Sequence, residues 1–104
     1  MGRKKRRKRQ YLTKKKAKEV ARSTELYLTD AGAGLISRIS KEARERGLSG
    51  ERASEESIIH IIEAGNVTRK RGKKRITTED LKEKVSHWDA CCNIKIDWQK
   101  YEEK

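Results

Sequence analysis

The sequence lacks much of the material from which a hydrophobic core is built. Of its 104 residues only 33% are hydrophobic, and phenylalanine and proline are absent. This gives a thin core for a monomer of this length, because small domains already bury a modest share of their surface. We therefore expect either that much of the chain is tail, or that the domain completes its core with a partner.

Cysteine is also scarce, and long apolar runs are missing. Cys91 and Cys92 are adjacent, an arrangement that rarely forms a disulfide, and there is no third thiol. This favours a reducing, intracellular compartment. No stretch is apolar enough to span a membrane, and no apolar run follows the basic start as it would in a secretory signal. We predict no membrane partner.

No set of residues indicates catalysis. His60 and His87 have no partner at a catalytic spacing, and no glycine-rich phosphate loop is present. His87, Cys91 and Cys92 could supply three metal ligands, whereas a structural zinc normally takes four. His60 lies among isoleucines and is expected to be a hydrogen-bonded core or boundary residue. The chain is predicted not to be an enzyme and to use no cofactor, metal or small-molecule substrate.

What the sequence has in abundance is positive charge, with a net charge of +12 and 42% charged residues. Residues 1–25 hold 12 of the 28 basic residues, and residues 69–75 form a second basic run without an acid. Two cationic features on a mildly acidic body indicate a polyanion ligand. Few aromatic residues are present, which argues against a stacking platform for single strands. The tail residues predicted to bind a polyanion are Arg3, Lys4, Lys5, Arg6, Arg7, Lys8, Arg9, Lys14, Lys15 and Lys16.

Hydrophobic periodicity predicts an all-α fold with four parts. Residues 1–13 are expected to be a disordered basic tail, residues 14–28 a basic helical extension, residues 29–88 the core, and residues 89–104 a C-terminal extension. Within the core, Thr29 and Asp30 should cap the next segment, whose helix should settle near Gly34 and end at Gly47. A second should begin after Ser54 and either reach residue 71 or break at Gly65, and its dense isoleucines predict burial on two sides.

The most informative stretch is residues 72–81, GKKRITTEDL. Three cations precede Ile76, which is expected to be buried, and Thr77 is a good N-cap for a last helix running to Trp88. Asp80 stands three positions after Thr77 and can act as a weaker form of a capping box. A basic loop leading into a capped helix is a common way to present cations and amide groups to phosphate.

Several short segments resemble the histone fold. Residues 36–41 (ISRISK) are similar to the first helix of archaeal histones, and residues 51–54 (ERAS) to the first loop of archaeal and some core histones. Residues 72–81 resemble the second loop and third helix, and residues 22–26 (RSTEL) resemble a segment that precedes the fold in one core histone. The resemblance covers residues 22–88.

The resemblance implies a helix-loop-helix-loop-helix chain that is completed by dimerisation, in which two chains cross on a central helix and paired loops bind the DNA backbone. Arg52 takes the place of a loop arginine that enters the minor groove, and Lys73 and Asp80 take the places of a structural clamp. From Ser54 to residue 71 the central helix is about three turns shorter than in the family, or ~11 residues. The implied DNA-binding residues are Arg38, Arg52, Lys73, Lys74, Arg75 and Thr77.

The predicted function is that of a histone-like protein, nuclear or chromatin-associated. It dimerises with itself or another histone-fold chain, and wraps or compacts duplex DNA through phosphate contacts without sequence specificity. Two alternatives remain open. The first is an RNA-binding structural protein such as a small ribosomal component. The second is a histone-fold subunit of a transcription or assembly complex.

Overall fold

A computed structural model describes residues 11–83 of the chain. This part is mostly helical, in agreement with the predicted all-α class. The predictions for residues 1–10 and for residues 84–104, which include the cysteine pair and the end of the last helix, lie outside the described residues. The elements are, in order, α1 (Lys14–Ser23), β1 (Tyr27–Leu28), α2 (Asp30–Glu45), α3 (Gly50–Lys70), β2 (Arg75–Ile76) and α4 (Thr78–Lys82).

The first helix is shorter than predicted and belongs to the core. It ends at Ser23 rather than at residue 28, because Glu25 adopts a left-handed backbone conformation (φ 68°) and the chain then becomes extended. Ala17 and Ala21 of α1 are fully buried. Leu12 is buried too, and its amide donates to the Ser40 hydroxyl at 2.9 Å. Residues 11–28 are therefore packed against the body instead of extending from it.

The two strands pair in parallel and connect the N-terminal part of the described chain with its C-terminal part. Tyr27 is the register partner of Arg75, and Leu28 is the partner of Ile76. Successive side chains of a strand point to opposite faces. Leu28 and Ile76 accordingly point into the core, while Tyr27 and Arg75 are exposed on the other face. This pair of strands was not predicted, since two-residue strands carry almost no periodic signal.

The same local order, helix–strand–helix, occurs twice. Each strand is followed at once by a threonine that caps the next helix: Thr29 accepts from the Gly32 amide at 3.0 Å, and Thr77 accepts from the Asp80 amide at 3.3 Å. The predicted cap at Thr29 is confirmed, and α2 begins directly after it at Asp30 instead of settling near Gly34 as predicted. The prediction of Thr77 as an N-cap is confirmed, with a complete capping box.

Helices α2 and α3 form an antiparallel hairpin around a short turn. Gly47 (φ 107°) ends α2 as predicted, and the Leu48 amide donates back to the Ala43 carbonyl. Helix α3 begins at Gly50, five residues earlier than predicted, because Ser49 and not Ser54 is its N-cap. The helix has 21 residues and passes through Gly65 without a break.

Small side chains let the helices approach each other closely. A Cβ added at Gly65 would lie only 2.9 Å from the Leu26 Cδ1 atom, so α3 packs directly on the segment that precedes β1. Six of the fifteen buried hydrophobic residues within residues 11–83 are alanines, whose small side chains allow this close approach. The buried hydrophobic residues are Leu12, Ala17, Ala21, Leu26, Leu28, Ala33, Leu35, Ile36, Ile39, Ala43, Ala53, Ile61, Ala64, Ile76 and Leu81.

The expectation that α3 is buried on two sides is wrong for the single chain. Ile61 is buried, but Ile59 and Ile62 remain 42% and 43% exposed. His60 is fully buried as expected, and its Nε2 atom lies 3.0 Å from the Leu81 carbonyl oxygen. Because a carbonyl only accepts, Nε2 carries the proton in this contact. One face of α3 is thus covered by the chain itself, and the face that bears Ile59 and Ile62 is not.

Candidate nucleic-acid interface

The basic run of residues 69–75 lies at the end of the α2–α3 hairpin that also carries the paired strands. Lys73, Lys74 and Arg75 are exposed, and within residues 11–83 no hydrogen bond or ion pair engages their side chains. Arg69 bonds the Thr24 carbonyl and the Asn66 side chain. The end of the hairpin therefore presents three adjacent cations that are free to meet an anion.

The backbone of this basic loop is held on both sides. Gly72 (φ 70°) ends α3, and the Lys73 amide closes the helix end by donating to the Thr68 carbonyl at 3.1 Å. This is the Schellman arrangement, in which a left-handed residue turns the chain sharply away from the helix axis. Further along, the Lys74 carbonyl accepts from the Tyr27 amide at 2.8 Å. The loop is thus positioned by main-chain bonds, which leave its side chains pointing to solvent.

The predicted clamp between Lys73 and Asp80 is wrong: Asp80 is held by Arg71. The Arg71 guanidinium donates to one carboxylate oxygen of Asp80 and also contacts Glu83 at 3.1 Å. The other Asp80 oxygen accepts from the Thr68 hydroxyl at 2.7 Å and from the Thr77 amide. Lys73 cannot take this role, because it follows the sharp turn at Gly72 and points outward.

This arrangement separates charges that would otherwise cancel. Asp80 is only 1% exposed and is paired with Arg71 beneath the loop. Its negative charge is therefore paired locally, which lessens its effect on the potential of Lys74 and Arg75 at the surface. Thr77 is half-buried, and its hydroxyl is engaged as the cap of α4. In the candidate interface Thr77 positions the backbone, whereas the neighbouring cations supply the positive charge.

Arg52 and Arg38 lie away from this basic end. Arg52 is a first-turn residue of α3 rather than a loop residue, and its guanidinium contacts Glu56 at 3.4 Å. Along α3 it is about 27 Å from Lys70 at 1.5 Å per residue. Arg38 is exposed on α2, eight residues after that helix begins. In one chain the predicted DNA-binding residues are therefore not gathered into a single patch.

The basic residues of α1 are partly neutralised. Lys14 and Lys18 reach Asp30 at 3.2 and 3.0 Å, and Lys16 lies 3.8 Å from Glu19. The hydrogen bonds from Lys18 and Lys14 lower the pKa of Asp30 below its usual value. Lys15 is exposed. The predicted tail contacts at residues 3–9 lie outside the described residues.

Comparisons of the chain with protein-family models, with curated proteins and with solved structures found no match. The candidate interface is therefore interpreted from its own geometry. Within residues 11–83 no three His, Cys, Asp or Glu side chains are grouped in a way that could hold a metal ion. None of the described helices is both long and apolar enough to span a lipid bilayer.

Beside the basic loop lies a cleft that was not predicted. It has a volume of about 360 Å³ and is lined by Arg22, Glu25, Leu26, Tyr27 and Lys74. These residues come from the end of α1, from β1 and from the loop before β2, so only the pairing of the strands brings them together. No sequence pattern predicts that residues 22–27 lie close to residue 74.

Proposed function

We propose that this chain is a duplex DNA-binding protein that contacts phosphates without sequence specificity and compacts DNA as a dimer. The observation that carries the proposal is the set of exposed cations Lys73, Lys74 and Arg75 on a loop fixed by main-chain bonds. Cations of this kind neutralise phosphates and release counterions, which supplies most sequence-independent affinity. The described helices offer no row of Asn, Gln and Arg side chains for reading base edges in the major groove.

Dimerisation is the second part of the proposal, and the exposed isoleucines of α3 support it. Ile59 and Ile62 lie near the middle of α3, on the face that the chain leaves open. The first turn of this helix carries Glu51, and its last turn carries Arg69 and Lys70. An antiparallel second copy that crosses at the isoleucines therefore brings acidic and basic turns together. The basic N-terminal residues add further phosphate contacts.

Such a crossing also fits the dimensions of DNA. Each α3 extends about 14 Å from the midpoint of Ile59 and Ile62 to Lys70, so the two helix ends are about 29 Å apart. The basic loops lie slightly beyond these ends, which separates them by about one turn of B-DNA, ~34 Å. Two loops at this spacing reach the same side of a duplex. This is the histone-like part of the proposal, and a nuclear or chromatin location belongs to it.

The phosphate contacts are tested by measuring duplex affinity as a function of salt for two charge-matched variants. Lys74→Ala with Arg75→Ala removes two cations from the loop, and Lys41→Ala with Arg46→Ala removes two exposed cations from α2 and the turn after it. We expect the loop variant to flatten the plot of log K against log salt by about 1.8 per chain, at ~0.9 per lost phosphate contact, and therefore by about 3.6 for a dimer that uses both loops. The control should leave the slope nearly unchanged. Equal slopes for the two variants would remove the loop from the interface.

A partner of different sequence is a second candidate, because Ile59 and Ile62 could equally meet another chain. Light scattering of the purified protein with and without duplex separates the two. A homodimer supports compaction by one chain, and a persistent monomer supports a subunit that needs a different partner. Nuclease digestion that yields a protected DNA length supports wrapping, while a smear at every protein ratio contradicts it. Stronger competition by structured RNA than by duplex DNA would favour the RNA-binding alternative.

A further inference from the structure

The cleft beside the basic loop combines groups that rarely meet on an ordinary charged surface. Tyr27 is 59% exposed, the highest exposure of any large hydrophobic residue in residues 11–83. Arg22 and Lys74 border the same cleft with exposed cationic groups, and Glu25 adds an exposed carboxylate. Among the described residues no hydrogen bond or ion pair engages these three charged side chains. The cleft thus presents an aromatic ring, two cations and one hydrogen-bond acceptor to a ligand.

Glu25 is placed there at a cost in backbone energy. Each of the first three helices ends in the same way, with a left-handed residue whose amide bonds back to the helix. After α2 and α3 that residue is Gly47 or Gly72, but after α1 it is Glu25 with φ 68°. A left-handed backbone conformation is unfavourable for every residue that carries a Cβ. Backbone strain of this kind is concentrated at binding sites, where the side chain is required.

The backbone beneath and beside the cleft is held in place by packing and hydrogen bonds. Leu26 beneath it is buried and in close approach to Gly65, and the Arg69 guanidinium holds the Thr24 carbonyl. The hydrogen bond from the Tyr27 amide to the Lys74 carbonyl fixes the relative position of their backbones. A ligand that enters therefore meets groups whose backbone is already positioned, which reduces the entropy lost on binding.

We propose that this cleft binds one unpaired nucleotide of a nucleic-acid strand, in an extension that rests on the proposed nucleic-acid function. The base stacks on Tyr27, the flanking phosphate meets Arg22 and Lys74, and Glu25 accepts a hydrogen bond from an N–H group on the edge of the base. Stacking on an aromatic residue within a cationic groove is how proteins hold single strands with little sequence preference. In a paired duplex the faces of the bases are already stacked on each other, so no base face is accessible to Tyr27.

Fluorescence anisotropy with a labelled single strand and with a blunt duplex of the same length tests the proposal. Tyr27→Leu keeps an apolar side chain without an aromatic face, and Tyr27→Phe keeps the face. We expect Tyr27→Leu to weaken single-strand binding by about fivefold to 150-fold, the range for one lost stacked base. Tyr27→Phe should retain it, and duplex binding should change less than twofold for both. Equal losses on both ligands, or no loss on the single strand, would overturn the proposal.

A second measurement uses the unaltered protein and does not depend on how a variant folds. A single strand with 5-iodouracil at successive positions is irradiated, and the adducts are mapped by mass spectrometry. Attachment at Tyr27 supports the site, and attachment confined to other residues overturns it. If a mononucleotide displaces the strand at equal concentration, the cleft still binds a nucleotide, but its ligand is a free nucleotide and not part of a strand. Duplex binding by Lys73→Ala with Arg75→Ala, two loop cations that do not line the cleft, is a separate readout, so failure of either proposal can be recognised.

Discussion

The bond between Arg71 and Asp80 should contribute measurably to stability, and the size of its contribution can be worked out from the structure. Asp80 is 1% exposed, and the Arg71 side chain is 35% exposed. A hydrogen bond to a charged group contributes about 1.5–3 kcal/mol, and partial exposure of Arg71 favours the lower end. Arg71→Ala is therefore expected to lower the free energy of unfolding by about 2 kcal/mol. For a domain of this size that corresponds to a fall in Tm of roughly 8–16 °C.

The control is Lys73→Ala, which removes a cation two positions away that points to solvent. This change should alter stability by less than about 0.5 kcal/mol, as surface substitutions usually do. Combining each variant with Asp80→Asn gives two double-mutant cycles, read by urea unfolding with circular dichroism. We expect a coupling energy of at least ~1 kcal/mol for Arg71 and close to zero for Lys73. A coupling for Lys73 as large as that for Arg71 would refute the assignment of the clamp.

Three further predictions concern single features. Glu25→Gly should raise the free energy of unfolding by about 1 kcal/mol because it relieves the left-handed strain, whereas Glu25→Ala should not; the urea midpoints decide. Ile59→Gln with Ile62→Gln should reduce the dimer fraction seen by light scattering without lowering monomer stability, and an unchanged mass would exclude this face. The lowered pKa of Asp30 means that its contribution is present at neutral pH and is lost as the pH falls below about 4. The difference in stability between Asp30→Asn and the original protein should therefore vanish in acid, as measured by urea unfolding at neutral pH and at a pH below about 4.

Local signals in the sequence were enough to predict parts of the basic end. The start of α4 was predicted correctly because a cap and its acidic partner three residues later form a self-contained pattern. The burial of Ile76 followed from one apolar residue between cations and a helix start. The ends of α2 and α3 near Gly47 and Gly72 were found for the same reason, since glycine is the usual residue at that position.

Other features depend on contacts that no local pattern reveals. Ser49 and Ser54 are each followed within two positions by a glutamate, so the sequence alone could not decide which caps α3. Arg71 and Lys73 are both cations near Gly72, and only the direction of the turn selects Arg71 for Asp80. The end of α1 was missed because a glutamate stands where a glycine would have marked it.

The strand pair also has a consequence for how the protein is made. Arg69 reaches the Thr24 carbonyl across 45 residues, and β1 cannot bond to β2 until Ile76 has been synthesised. During translation the first helix and strand are therefore synthesised before their partner strand exists. Contacts so distant in sequence form late, because a long loop must close first. The basic loop and the cleft should consequently be among the last parts of the molecule to take shape, and a chain released early by a stalled ribosome would have neither.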